Sequence, residues 1–279
     1  MPFGPLIEAK AVPDLPDDVV FLDARAGPTA RHDYGAGHLS RAIHVDLERD
    51  LSHPDDPNRG GRHPLPPLSV WLSKLGDWGI GKQTPVVVYD AATSAMAASR
   101  AWWMLRAVGH TKVAVVDGGL AALVNDGHRL EPHVPAHDAL PAYQTDLRAW
   151  PDFGIAGVTN IAGNPDWRLI DARAAERYEG EVEPIDPVAG HIPGAHNLPW
   201  ASLTEPGGRF VSANDRRDQY DLLRGDVPPE QLVCYCGSGV TACHLILGME
   251  AAGLQGVRLY VGSWSEWCRV RGVLWHGRE

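Results

Sequence analysis

The chain contains one sequence pattern twice. "FLDAR" at 21–25 returns as "LIDAR" at 169–173, which sets Asp23 opposite Asp171. "AGHLSRAIHVD" at 36–46 returns as "AGHIPGAHNLP" at 189–199, setting His38 opposite His191. "TPVVVYD" at 84–90 and "EQLVCYC" at 230–236 pair Asp90 with Cys236, and "VVDGGLAAL" at 115–123 and "LYVGSWSEW" at 259–267 pair Gly118 with Gly262. Four blocks in the same order describe a duplicated domain of about 120 residues. Each copy must then close its own core, so the 279 residues read as two modest domains rather than one large one. The expected division is residues 1–130, a linker over 131–154 rich in Pro, His and Asp, and a second domain over 155–279.

Within each copy, short apolar runs alternate with helical periodicity. Val86–Tyr89 and Leu232–Tyr235 have the length of buried strands, and Val113–Val116 is a third such run. The segments 97–108 and 241–252 follow with helical spacing; the latter sets Cys243, Leu247 and Ala251 on one face. Strand, loop, helix and strand in succession predict an α/β class, each domain a mainly parallel sheet flanked by helices. Functional residues in such folds gather at the carboxyl ends of strands.

Composition narrows the function. The formal charge is −10, which argues against a phosphate-neutralising nucleic-acid binder. There is no basic segment leading into an apolar one at the N-terminus and no apolar run of membrane-spanning length, so a cytoplasmic protein without a membrane role is expected. Four cysteines, Cys234, Cys236, Cys243 and Cys268, all fall in the second copy, which excludes a disulfide framework spread through the fold.

Cys236 closes a predicted strand, and "GSGVTA" leads from it into a helix. Gly237 and Gly239 permit a tight turn whose successive N–H groups can converge on an anion, with the helix N-terminus adding positive potential. A cysteine placed there suits nucleophilic chemistry through its thiolate. The first copy carries Asp90 at this position and has lost both glycines, in "DAATSAMA". One copy therefore keeps a thiol chemistry that the other lacks.

On these residues the chain resembles the tandem-domain rhodanese-like sulfurtransferases. The resemblance rests on "CGSGVTA" at 236–242, "AGHIPGA" at 189–195 and "GSWSEW" at 262–267, and extends over essentially the whole chain. The loop is similar to that of the mercaptopyruvate branch; members preferring thiosulfate usually carry basic residues after the cysteine. The resemblance implies sulfur transfer from 3-mercaptopyruvate through a Cys236 persulfide to a thiol or cyanide acceptor, with ping-pong kinetics and no metal or cofactor. A thiosulfate:cyanide enzyme and a non-catalytic persulfide carrier are the alternatives. A monomer is expected, because the duplication makes the domain pair internal.

The resemblance also implies roles for individual residues. The loop groups of Gly237, Gly239, Val240 and Thr241 would hold the charged sulfur. Arg177 matches a donor-binding position; a surface arginine paired with Glu176 or Glu179 is the competing reading. The family's second arginine, shortly before "GHIPGA", is absent between Arg177 and His191, and Arg62 of the first domain is a candidate replacement. Ser238 either caps the helix or assists proton transfer with His38 and Asp33; His38, like His191, is otherwise scaffold. Trp264, Trp267 and the Asp23–Arg25 and Asp171–Arg173 pairs read as packing. A phosphatase is disfavoured because Ala242 stands where its arginine would be, and a zinc site because strand and helix would scatter Cys234, Cys236, Cys243 and His244.

Overall fold

A computed structural model describes residues 3–53, 60–133 and 137–270. The chain forms two compact units. The first takes Met1–His53, Pro66–Pro151 and Glu205–Phe210, and the second takes Pro54–Leu65, Asp152–Thr204 and Val211–Glu279.

The strands of the first unit are β1 (Leu6–Ile7), β2 (Val20–Asp23), β3 (His38–Leu39), β4 (Ala42–His44), β5 (Val86–Tyr89), β6 (Val113–Val116) and β7 (Leu130–Glu131). Five of them make a parallel sheet in the order β1-β6-β5-β2-β4, while β3 and β7 pair antiparallel beside it. Helices α1 (Ala30–Ala36), α2 (Leu68–Asp77), α3 (Ala97–Ala107) and α4 (Gly119–Asn125) accompany it. The second unit repeats the plan with β8 (Arg168–Asp171), β9 (Ala195–Asn197), β10 (Leu232–Tyr235) and β11 (Arg258–Leu259), parallel in the order β11-β10-β8-β9. Its helices are α5 (Gly154–Ile161), α6 (Ala175–Tyr178), α7 (Ala213–Arg224), α8 (Thr241–Ala251) and α9 (Ser263–Val270).

The apolar runs behave as the α/β reading requires. All four residues of β5, of β6 and of β10 are buried, as suits parallel strands covered on both faces. Helix α8 departs from the expected single apolar face. Every residue from Ala242 to Met249 is buried, because β10, α7 and the turn at Trp200–Leu203 pack around it.

The duplication persists at the level of single hydrogen bonds. In the first unit Arg25 grips Asp23 through Nε and Nη2 and reaches Gly37 O at 2.8 Å. In the second, Arg173 grips Asp171 and reaches Gly190 O at 2.7 Å. His38 stacks on Tyr34 with Nδ1 2.8 Å from its carbonyl oxygen, and His191 stacks on Tyr178 in the same way, also at 2.8 Å.

Residues 137–151, within the expected linker, group with the first unit. Tyr143 is buried, its N–H bonds Leu72 O, and its hydroxyl lies 3.2 Å from His110 Nδ1. Trp150 donates to Pro66 O at 2.7 Å. Residues 134–136 of that stretch lie outside the described residues, as do 271–279 of the expected second domain. Residues 60–65 group with the second unit, so Arg62 belongs there and not, as expected, to the first domain. The expectation counted along the chain, whereas these residues make their contacts with 186, 238 and 262–266.

Candidate active site

Cys236 is the first residue beyond β10, an interior strand of its sheet. The residue is 2% exposed. Gly239 adopts φ +76°, which turns the chain back so that its N–H donates to Cys236 Sγ at 3.2 Å. The N–H groups of Gly237, Ser238, Val240 and Thr241 have no acceptor among the described residues. They lead into α8, whose first turn leaves its own N–H groups without intrahelical partners. Cys236 thus stands beside the loop that opens α8, where uncommitted N–H donors and a helix N-terminus can meet an anion.

A second layer anchors this turn. Ser263 has φ +55°, unusual for a residue with a side chain. Its Oγ accepts from the Cys236 N–H at 3.1 Å and donates to Tyr260 O at 3.0 Å. The N–H groups of Trp264 and Ser265 bond the carbonyl oxygens of Cys236 and Gly237, both at 3.0 Å. The "GSWSEW" block therefore pins the cysteine backbone at the start of α9.

The same block holds residues 60–63. Gly60 N–H donates to Glu266 Oε1 at 2.9 Å, and Arg62 N–H donates to Ser265 Oγ at 3.1 Å. Gly61 has φ +73°, and a Cβ there would overlap Gly262 O and Ser265 Oγ, so only glycine fits this approach. The result is that Arg62 and His63 face the cysteine loop. A Cβ built on Gly237 would lie 2.8 Å from Arg62 Nη2 and 3.5 and 3.7 Å from Arg177 Nη1 and Nη2. His63 Nδ1 is 2.7 Å from Ser238 Oγ.

Arg177, at the end of α6, does not pair with Glu176 or Glu179. Its Nη2 is 2.6 Å from Glu183 Oε1 and 3.5 Å from Asp186 Oδ2. Arg62 Nη1 bonds Asp186 Oδ1. Burial works against the charge on Glu183, but the Arg177 guanidinium and the N–H groups of Asp186 and Ile185 prevail and hold its carboxyl below the ordinary glutamate range.

Several expected roles change. His38 lies in the first unit, fully buried, with its ring nitrogens 2.8 Å from Tyr34 O and 3.0 Å from His133 O. Its geometry is that of scaffold, and Asp33 bonds Thr29 and His32 instead. The histidine at Ser238 is His63, which sequence reasoning passed over. "GGRHPLP" lies outside every repeated block, and only the two glycines hinted at a close backbone approach. Neither Ser238 nor Thr241 caps α8; the Val240 position has no side-chain cap. Trp264 is buried, donates to Val188 O at 2.8 Å and covers the Arg173 guanidinium.

In the first unit Asp90 takes the place of Cys236, and its carboxylate accepts from the N–H groups of Ser94 at 2.9 Å and Ala92 at 3.1 Å. Burial pushes its carboxyl up despite these donors. Ser94, at φ +58°, carries the left-handed turn in a loop without glycine. The remaining cysteines are buried and outside any disulfide. Burial raises the Cys234 thiol, and raises that of Cys268 to about 11, while Cys243 Sγ donates to Gly239 O at 3.4 Å. Among the described residues no group of three His, Cys, Asp or Glu side chains is placed to hold a metal ion.

A buried thiol beyond an interior parallel strand, with the Gly239 N–H on its sulfur and two guanidiniums beside the next residue, defines a cysteine-centred candidate site. The sequence profile of the Rhodanese-like domain matches residues 8–126 and again 157–270, and the chain belongs to the rhodanese-like family. A Pseudomonas aeruginosa protein named "Probable 3-mercaptopyruvate sulfurtransferase" is 41% identical over 246 residues, 84% of this chain and 82% of that one. The 3-mercaptopyruvate sulfurtransferase of Homo sapiens is 34% identical over 97% of this chain and 93% of its own. Among solved structures, the Leishmania major 3-mercaptopyruvate sulfurtransferase superposes with a TM-score of 0.84 at 29% identity, covering 96% of this chain and 75% of that one.

Proposed function

We propose that the protein is a sulfurtransferase that takes sulfur from 3-mercaptopyruvate on Cys236 and passes it to a thiol or cyanide. The observation that carries the reading is the Gly239 N–H on Cys236 Sγ, with two guanidiniums converging on the next residue. The Cys236 thiolate attacks the donor's thiol sulfur. A sulfur–sulfur bond forms, the carbon–sulfur bond breaks, and its electron pair leaves with pyruvate as the enolate. A proton then restores pyruvate. The acceptor attacks the outer sulfur and the Cys236 thiolate returns. Loop N–H groups from Gly237 to Thr241 bear the charge on sulfur in both half-reactions.

Arg62 Nη2 and Arg177 Nη1 make no hydrogen bond among the described residues, which suits them to the donor carboxylate. His63 and Ser238 form the proton path: a hydroxyl on Nδ1 can relay the proton between donor thiol and enolate carbon. The fully engaged ring of His38 favours His63 for this task. The second unit is thus the catalytic domain in this reading, and the first, with Asp90 on its own loop donors, is not. Four cysteines outside any disulfide fit a compartment of reduced thiols, the cytoplasm, and every group invoked lies in one unit, which fits a monomer. Among the described residues no helix is long and apolar enough to cross a membrane.

Specificity constants for 3-mercaptopyruvate and thiosulfate test the donor directly. A thiosulfate sulfurtransferase of Gallus gallus is 33% identical over 85% of this chain, so the second donor is the proper comparison. A preference for thiosulfate would overturn the mercaptopyruvate reading while leaving the persulfide intact. A persulfide that forms with neither donor turning over would mark a carrier.

Two substitutions follow from the geometry. Arg177→Ala removes one arm of the carboxylate clamp, and the KM for 3-mercaptopyruvate should rise by about tenfold, the loss of a charge-assisted hydrogen bond. An unchanged KM would remove Arg177 from the site. His63→Asn should lower kcat for 3-mercaptopyruvate by about 10²-fold. Thiosulfate should suffer far less, because sulfite leaves as a stable anion without needing a proton. Equal losses with both donors would exclude the relay.

A further inference from the structure

The carboxylates behind the two arginines point to a control on which anion the site accepts. Asp186 is enclosed, with 0% of its side chain exposed, and Glu183 has 4%. Asp186 Oδ1 receives Arg62 Nη1 and lies 3.4 Å from Arg269 Nη1, while Oδ2 lies 3.5 Å from Arg177 Nη2. Glu183 receives Arg177 Nε and Nη2 and lies 3.3 Å from Arg173 Nη1. Arg173 is itself clasped by Asp171.

Four guanidiniums, of Arg62, Arg173, Arg177 and Arg269, therefore meet three carboxylates, of Asp171, Glu183 and Asp186. One positive charge is left over. The two nitrogens nearest Gly237, Arg62 Nη2 and Arg177 Nη1, carry it toward the cysteine loop. A monoanion matches that charge. A dianion exceeds it, and the second negative charge would face Asp186 across the same guanidiniums in a poorly solvated setting.

We propose that Asp186 is a specificity-determining residue: by half-neutralising Arg62 and Arg177 it selects a monoanionic sulfur donor over a dianionic one. The inference rests on the reading that these arginines bind the donor. Asp186 touches no reacting atom. It acts through the charge and aim of the two arginines it joins.

The test compares kcat/KM for 3-mercaptopyruvate and for thiosulfate in the full chain and in Asp186→Asn and Asp186→Glu. Asp186→Asn keeps the size and an acceptor oxygen but frees one more positive charge. The ratio of thiosulfate to 3-mercaptopyruvate should rise by about tenfold, through a lower thiosulfate KM, and the gain should shrink as salt screens it. Sulfate, an unreactive dianion, should inhibit the variant more tightly by a similar factor. Asp186→Glu retains the charge and should keep the original ratio within about twofold. A ratio unmoved in Asp186→Asn, or both constants falling together, would overturn the proposal, as would a ratio shifted in Asp186→Glu. Failure of the underlying reading shows separately: Arg62→Ala and Arg177→Ala would then leave both KM values unchanged.

Discussion

Cys236→Ser is expected to lose at least about 10³-fold in sulfur transfer with every donor, because a serine hydroxyl neither ionises near neutral pH nor forms a persulfide. The fold should be unaffected. The side chain is almost wholly buried, oxygen is smaller than sulfur, and the Gly239 N–H that now donates to Sγ can donate to Oγ. Thermal unfolding should therefore agree with the parent protein within a few degrees. Mass spectrometry of protein incubated with donor and no acceptor gives the direct readout. The parent should gain the mass of one sulfur atom on Cys236, and the variant none. Cys234, Cys243 and Cys268 are buried and outside any disulfide, so a sulfur found on any of them, or turnover retained without Cys236, would defeat the assignment.

Gly239→Ala carries the second largest effect, about 10³-fold in kcat/KM, and this one reaches the fold as well. At φ +76° an added Cβ costs about 1–2 kcal/mol on backbone grounds alone. It would also overlap Val261 O and lie 3.0 and 3.1 Å from Val261 Cα and C. Those are backbone atoms of the segment between β11 and α9, which cannot rotate aside as a side chain can. The loop must move, and the N–H on Cys236 Sγ moves with it. Removal of a single such donor costs about 10²–10³ in acyl-transfer enzymes, and here the neighbouring donors shift too. Persulfide formation by mass, measured against the unfolding temperature, separates the two effects. Parent-like rates in Gly239→Ala would show that the loop donors carry no charge in the reaction.

The site was unevenly legible in the sequence. Cys236, Gly237 and Gly239 stood out because strand, turn and helix are consecutive there, and local chemistry dictates a turn of this kind. The strands were legible because a parallel strand buried on both faces has to be apolar throughout, as Val86–Tyr89 and Leu232–Tyr235 are. Arg177 was singled out through the family resemblance, with a surface pair to Glu176 or Glu179 as its competing reading. Glu176 and Glu179 are its neighbours in sequence, while Glu183 and Asp186 are brought to it by the turn after α6. His38 was singled out through the family resemblance, while its recurrence as His191 supported the scaffold reading, and both copies stack the ring on a tyrosine and bond its carbonyl oxygen.

The amino-acid sequence by itself determined that there are two copies of one α/β unit, where the buried strands Val86–Tyr89, Val113–Val116 and Leu232–Tyr235 run, and that a single thiol stands at a strand end with Asp90 as its counterpart. Such features are written locally, in periodicity and in neighbouring residues. Only the tertiary structure decided that His63 meets Ser238, that Arg62 stands beside Arg177, and that Asp186 lies behind both. His63 lies 175 residues of chain from Ser238, and Arg62 lies 124 from Asp186. They meet because Gly60, Gly61 and Arg62 dock on the Gly262–Glu266 turn through contacts that no periodic pattern encodes.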